Sequence, residues 1–179
     1  MTELKPKGVS AARFVAVMGL LFAVSAALNW LESLFSAFLP AGMRVGLSNI
    51  VIMAAILCVN LPGALLLTVL KAGFVFLTRG AVAGVMSLCG GLAAFAVTAV
   101  LFRRTKASYI LISVLGAAAH SLGQLCAARL ILGTMSVFAY APVLMAGSAA
   151  AGVVTGIVLK AVLPLLETRF LEARGKMRK

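Results

Sequence analysis

Long apolar stretches alternate with short clusters of charge and turn-forming residues along this chain, and that punctuation predicts its elements. An apolar run over about residues 12–31 follows Lys5 and Lys7, with Arg13 at its start. Its length matches the ~20 residues an α-helix needs to cross a hydrocarbon core. Ser33 to Gly42, with Pro40 and Gly42, reads as a loop that dips into the membrane interface. From Val45 to Leu70 no charge occurs, yet Asn60-Leu61-Pro62-Gly63 is a turn signature in its middle. The expected result is a short second helix over 44–59 and a third over 63–78. Gly80 and Gly84 bracket the next reversal, and a fourth helix over 82–102 stops at Arg103-Arg104-Thr105-Lys106. A fifth covers 108–132, Gly133-Thr134 breaks it, and a sixth covers 137–163 with Pro142 near its start. A basic tail occupies 165–179. The fold expected is an all-α integral membrane protein, one membrane domain over 1–179 with six transmembrane helices.

Composition excludes the soluble alternatives. The 179 residues are 63% hydrophobic and 11% charged, where soluble chains run at about 45–50% and about 25%. A net charge of +12 would suit nucleic acid if the basic side chains spread over a water-facing surface. They sit instead between apolar runs or singly inside them, so nucleic acid is not expected as a partner and membrane lipid is. Cytoplasmic loops are enriched in Lys and Arg. With both termini inside, the inner segments hold Lys5, Lys7, Arg13, Arg103, Arg104, Lys106 and the basic tail, against Arg44 and Arg79 outside. The predicted location is therefore the bacterial cytoplasmic membrane, multi-pass, with both termini cytoplasmic. Val24-Ser25-Ala26 resembles a signal cleavage site, but the whole apolar run of residues 12–31 exceeds the about 7–15 residues of a signal core, and Asn29, Trp30 and Glu32 read as an interfacial helix end, so the first helix is expected to be retained.

Much chemistry is also excluded. The chain contains no Asp, and three of its acids, Glu3, Glu167 and Glu172, lie near the termini, leaving Glu32 internal. No carboxylate cluster for Mg²⁺ can be built from one internal acid. One His and the scattered Cys58, Cys89 and Cys126 give no zinc spacing. No catalytic residue, metal site or cofactor is expected, and the chain reads as a non-enzyme.

An ionisable or amide side chain inside hydrocarbon is costly unless it faces protein or a watery cavity, which makes each one a candidate functional residue. Asn29 and Glu32 fall at the outer end of the first helix, Arg44 and Asn49 at the outer start of the second, and Arg79 at the outer end of the third. Lys71 lies near mid-depth on that third helix, too deep for easy snorkelling. On the fifth, His120, Gln124 and Arg129 climb from the middle toward the outer surface. His120 and Gln124 are spaced i, i+4 and share a face, with Gly116 and Gly123 beside them. If these groups converge, they form an outward-facing cavity with several cations against Glu32, suited to a small anionic ligand between apolar walls that would accept an aromatic or isoprenoid body. The alternative for His120 and Gln124 is simple interhelical hydrogen bonding, and for Arg129 it is snorkelling. A second pattern is small residues: Ala12, Ala16, Gly19, Ala23 and Ala27 recur at three- or four-residue steps on the first helix, and Gly152 and Gly156 form a GxxxG on the sixth. Such stripes permit close helix contact, either inside the bundle or with another membrane subunit.

Arg44-Val45-Gly46-Leu47-Ser48-Asn49-Ile50-Val51, the Pro62-Gly63 turn, Gly90-Gly91 and Ala119-His120-Ser121-Leu122-Gly123-Gln124-Leu125 resemble the Gx transporter family, also labelled heptaprenyl diphosphate synthase component I. The resemblance covers nearly the whole chain from the first helix to the sixth. It implies a relation to the substrate-binding S components of energy-coupling-factor (ECF) transporters, six-helix proteins that capture a micronutrient from outside and work with an ECF coupling subunit and two ATPases. By that match Arg44, Asn49, Lys71, His120 and Gln124 would carry binding, and a small-residue face would dock the partner. Ser121 stands where relatives often show Asn, and Lys71 where Arg is common. The synthase label fits less well chemically, because prenyl elongation uses paired Asp-rich motifs and this chain has no Asp. Under it the chain would be a non-catalytic subunit assisting isoprenoid or quinone synthesis; a further alternative is a subunit of flavin-linked extracellular electron transfer.

Overall fold

The computed structural model describes residues 11–35 and 46–175. Six α-helices occupy them: α1 (Ala11–Phe35), α2 (Leu47–Cys58), α3 (Leu61–Arg79), α4 (Ala81–Arg104), α5 (Tyr109–Leu132) and α6 (Ala141–Gly175), with a 3-10 segment over Met135–Tyr140 before the last. Five are long and apolar enough to cross a membrane, and α2 is a shorter apolar helix. The protein is thus an all-helical, membrane-type bundle of six helices.

Local sequence explains the boundaries. Asn60 caps α3: its Oδ1 accepts the Gly63 N–H at 2.7 Å, with Pro62 in the first turn where a missing N–H costs nothing. A single residue, Gly80, joins α3 to α4 at φ 88°, a conformation that glycine adopts without a Cβ penalty. Ser108 caps α5 by accepting the Leu111 N–H, and Gly133 closes that helix in the left-handed conformation. Two boundaries depart from the sequence pattern. The loop expected from Ser33 is helical as far as Phe35. The sixth helix, expected over 137–163, begins at Ala141 after the 3-10 segment and continues through Pro164 to Gly175. Proline removes one backbone hydrogen bond, and membrane helices accommodate this where neighbours re-satisfy the freed carbonyl.

The helices close into a ring in the order α1, α2, α6, α5, α4, α3, with α2 also touching α4. Every residue from Ile50 to Ala55 is buried, so the middle of α2 has no exposed side; it packs on α1, α3, α4 and α6. Twelve residues make α2 about 18 Å long, well short of a ~30 Å hydrocarbon core. Its C-terminus meets the start of α3 at one end of the bundle, so its N-terminus ends inside the bundle. Among the described residues α1 packs only on α2 and α3, whereas α5 is gripped from both sides. Gly152 and Gly156 of α6 lie against the α5 backbone: an added Cβ would come within 2.5 Å of Val114 Cα and 2.6 Å of Ile110 Cα respectively. The GxxxG is therefore internal packing. Ala12, Ala16, Gly19, Ala23 and Ala27 are all exposed, and nothing lies within 4 Å of a Cβ built on Gly19.

Candidate functional site

The N-terminus of α2 is the pivot of the interior. Gly46 precedes it at φ 75° and brings no side chain to cap it. The acceptor comes from another helix: Glu32 of α1 receives the Leu47 N–H on Oε1. A carboxylate placed there answers both an unsatisfied donor and the positive end of the helix dipole. Two residues into α2, Asn49 accepts a hydrogen bond on Oδ1 from Lys71 Nζ at 2.7 Å. Lys71 stands eight residues inside the end of α3, about 12 Å along its axis, and is buried. A buried ammonium at that depth requires acceptors around it, and Asn49 supplies one.

Around this pair is a chamber of about 390 Å³ of space between side chains, counted with its opening. Glu32, Ser48, Asn49, Lys71, His120, Ser121, Gln124 and Ser148 line it, together with Gly46 and Ala117. His120 and Gln124 face it from α5, as their spacing predicts. Gly90 of α4 lets them do so, because a Cβ there would meet the His120 carbonyl oxygen and Gln124 Cγ at 2.8 Å each. Ser121 and Ser148 pair hydroxyl to hydroxyl and tie α5 to α6.

A second chamber of similar size adjoins the first, and Gly46, Asn49 and Ala117 line both. Its walls are mostly apolar: Ile52, Met53, Gly91, Ala94 and Phe95, with Gly116 beside them. Thr98, Ser113 and Thr155 line its far part, Ser113 and Thr155 sharing a hydrogen bond of 2.6 Å. As the side chains stand, the room left in each chamber admits water-sized occupants, so a larger ligand requires them to part.

Of the residues singled out from the sequence, the chamber brings together Glu32, Asn49, Lys71, His120 and Gln124. It does not include Asn29, Arg79 or Arg129. Asn29 is buried on α1, and its carbonyl oxygen accepts from Arg79 Nη2 at 3.5 Å. Arg79 is otherwise exposed. Arg129 turns to the 3-10 segment, its Nε reaching Met135 Sδ at 3.1 Å. Arg44 lies outside the described residues. The strongly cationic cavity expected from the sequence is thus corrected: among the described residues its charged lining is Lys71 and Glu32, one of each sign. Ser48, Ser148, Gly46 and Ala117 are lining residues that sequence reasoning passed over. Ser48 sits inside the Arg44–Val51 motif, and Ser148 is a hydroxyl in an apolar span, a signal too common in membrane helices to single it out. The three cysteines lie on separate helices, Cys126 exposed and the others half-buried.

A helical membrane-type bundle with a half-length buried helix and a polar interior chamber defines the class. The chain belongs to the family described as heptaprenyl diphosphate synthase component I, whose model matches residues 21–162. That span contains every residue lining either chamber. No curated protein and no solved structure matches the chain.

Proposed function

We propose that this protein is a non-catalytic, substrate-binding membrane component, the S component of an ECF-type transporter, which captures a small micronutrient from the outer side and passes it through a partner coupling module. The observation that carries the reading is the buried Lys71 bonded to half-buried Asn49 in a polar chamber shared with His120 and Gln124. Buried ionisable groups in a membrane bundle are costly and serve as ligand sites more often than as structural glue. A half-length helix whose N-terminus ends at such a chamber is the arrangement transporters use to hold polar solutes at mid-depth. The Arg103 and Arg104 end of α4 and the basic C-terminal sequence support a cytoplasmic side there, which would turn the Arg79 end of the bundle outward. The same charge bias supports the reading of a bacterial cytoplasmic membrane protein with cytoplasmic termini. The ligand is delivered through an ECF coupling subunit and its ATPases, which dock on the exposed Ala12, Ala16, Gly19 and Ala23 stripe of α1.

The family description favours a second reading, a subunit that assists a separate prenyl diphosphate synthase. Gentle purification followed by mass spectrometry of released small molecules distinguishes the two. A solute-binding component carries a small ligand that Lys71→Ala and His120→Ala lose while expression stays intact, and it co-purifies with ATPases. Co-purification with a soluble prenyl synthase, or a bound ligand indifferent to both substitutions, would overturn the transport reading.

A further inference from the structure

The two chambers differ in chemistry and meet at Gly46, Asn49 and Ala117. In the upper one hydrogen-bond donors predominate. Lys71, the Asn49 and Gln124 amides and the Ser48 hydroxyl can all donate, while the Glu32 carboxylate already accepts from the Leu47 N–H. The head of a ligand that completes this set carries acceptors. Charge limits it further: with Lys71 and Glu32 both in the lining, a polyanion would leave several negative charges uncompensated away from water, at a cost far above that of a single carboxylate. The lower chamber, walled by Ile52, Met53, Ala94 and Phe95, offers apolar contact, with the Ser113–Thr155 pair also in its lining. Ala117 of α5 lines both chambers, one turn from Ser113 and one from Ser121.

We propose that the two chambers form one bipartite site for a small amphiphilic monocarboxylate, its head among Lys71, Asn49 and Gln124 and its short apolar body passing Ala117 into the lower chamber, with Ala117 setting the length admitted. This rests on the solute-binding reading and narrows its ligand class. The full chain in lipid nanodiscs is titrated with radiolabelled acetate, butyrate and hexanoate, with Lys71→Ala discs as the blank for partition into lipid. Affinity is expected to rise about fourfold per added methylene, as apolar burial dictates. Ala117→Leu removes the gain of hexanoate over acetate, because the three added carbons take the space the tail needs. Should Ala117→Leu fail to fold, Met53→Ala enlarges the lower chamber and shifts the preference toward longer chains. Lys71-dependent acetate binding without any chain-length gain overturns the bipartite site and leaves the solute-binding reading standing. Inorganic pyrophosphate displacing hexanoate from the Lys71-dependent site overturns the monocarboxylate head. Absence of Lys71-dependent binding for every member overturns this inference, while the solute-binding reading stands or falls on the ligand released at purification.

Discussion

At the scale of single residues, the Lys71–Asn49 contact is where function and stability oppose each other. A buried ammonium is tolerated only through its acceptors, so removing an acceptor and removing the charge have unequal consequences. Asn49→Leu leaves the Lys71 charge in place with its 2.7 Å partner gone. Lys71→Met removes the charge and its desolvation together, and keeps a flexible side chain of similar reach. Asn49→Leu is therefore expected to destabilise the protein by about 3 kcal/mol and Lys71→Met by no more than about 1 kcal/mol. Chemical unfolding in mixed micelles reads both values. Equal losses would mean that Lys71 is held by other groups and that Asn49 serves the chamber in another way. The convergence of Lys71, His120 and Gln124 was legible from residue type alone, since each is too costly for lipid. The outward turn of Arg79 and Arg129 was not. Both stand near a helix end, where a long side chain reaches the interface whichever way the helix is rotated.

At the scale of elements, α2 is the feature that organises the interior. The Asn60-Leu61-Pro62-Gly63 turn and the Arg103–Lys106 cluster mark helix ends by local chemistry, which is why six helices can be read from the letters. The depth of α2 is different in kind, because it follows from the packing of its neighbours around a helix whose middle is buried on every side, and no local pattern encodes that. Its N-terminus depends on Gly46 at φ 75° and on a carboxylate borrowed from α1. Space is not the constraint at Gly46: a Cβ there would meet only Asn49 Nδ2, at an ordinary 3.5 Å. The constraint is backbone conformation, so a substituent's cost should follow its tolerance of positive φ. Gly46→Asn is expected to cost less than about 1 kcal/mol and Gly46→Val about 2 kcal/mol or more, in thermal unfolding of the detergent-solubilised chain. The same order should hold for Lys71-dependent ligand binding, since Asn49 follows Gly46 by less than one turn. Equal effects of Asn and Val would show that the left-handed conformation is not what places α2.

At the scale of the whole molecule, the bundle is asymmetric: α3 to α6 form a tight wall and α1 leans on α2 and α3 alone. α1 is also the least buried of the spanning helices, yet through Glu32 it holds the N-terminus of α2 and so touches the chamber. A partner that grips α1 can therefore act on the site without reaching it, through one helix and one carboxylate. The exposed Ala12, Ala16, Gly19 and Ala23 face is suited to such a partner, because small residues let two membrane helices approach closely. Among the described residues this face is exposed, and that separates docking from folding. Ala16→Leu and Gly19→Leu add bulk at exposed positions, so each should change thermal stability by no more than about 0.5 kcal/mol. Leucine is also the better helix former at Gly19, which favours the substituted helix slightly. The same changes are expected to reduce co-purification with the coupling subunit at least tenfold and to abolish uptake, while ligand binding by the isolated protein stays intact. A control at Val153, an exposed α6 residue away from α1, should leave both complex and uptake unchanged when replaced by Leu. Retention of the complex by the α1 variants would place the partner on another side of the bundle, and the route from α1 through Glu32 to the chamber would lose its role.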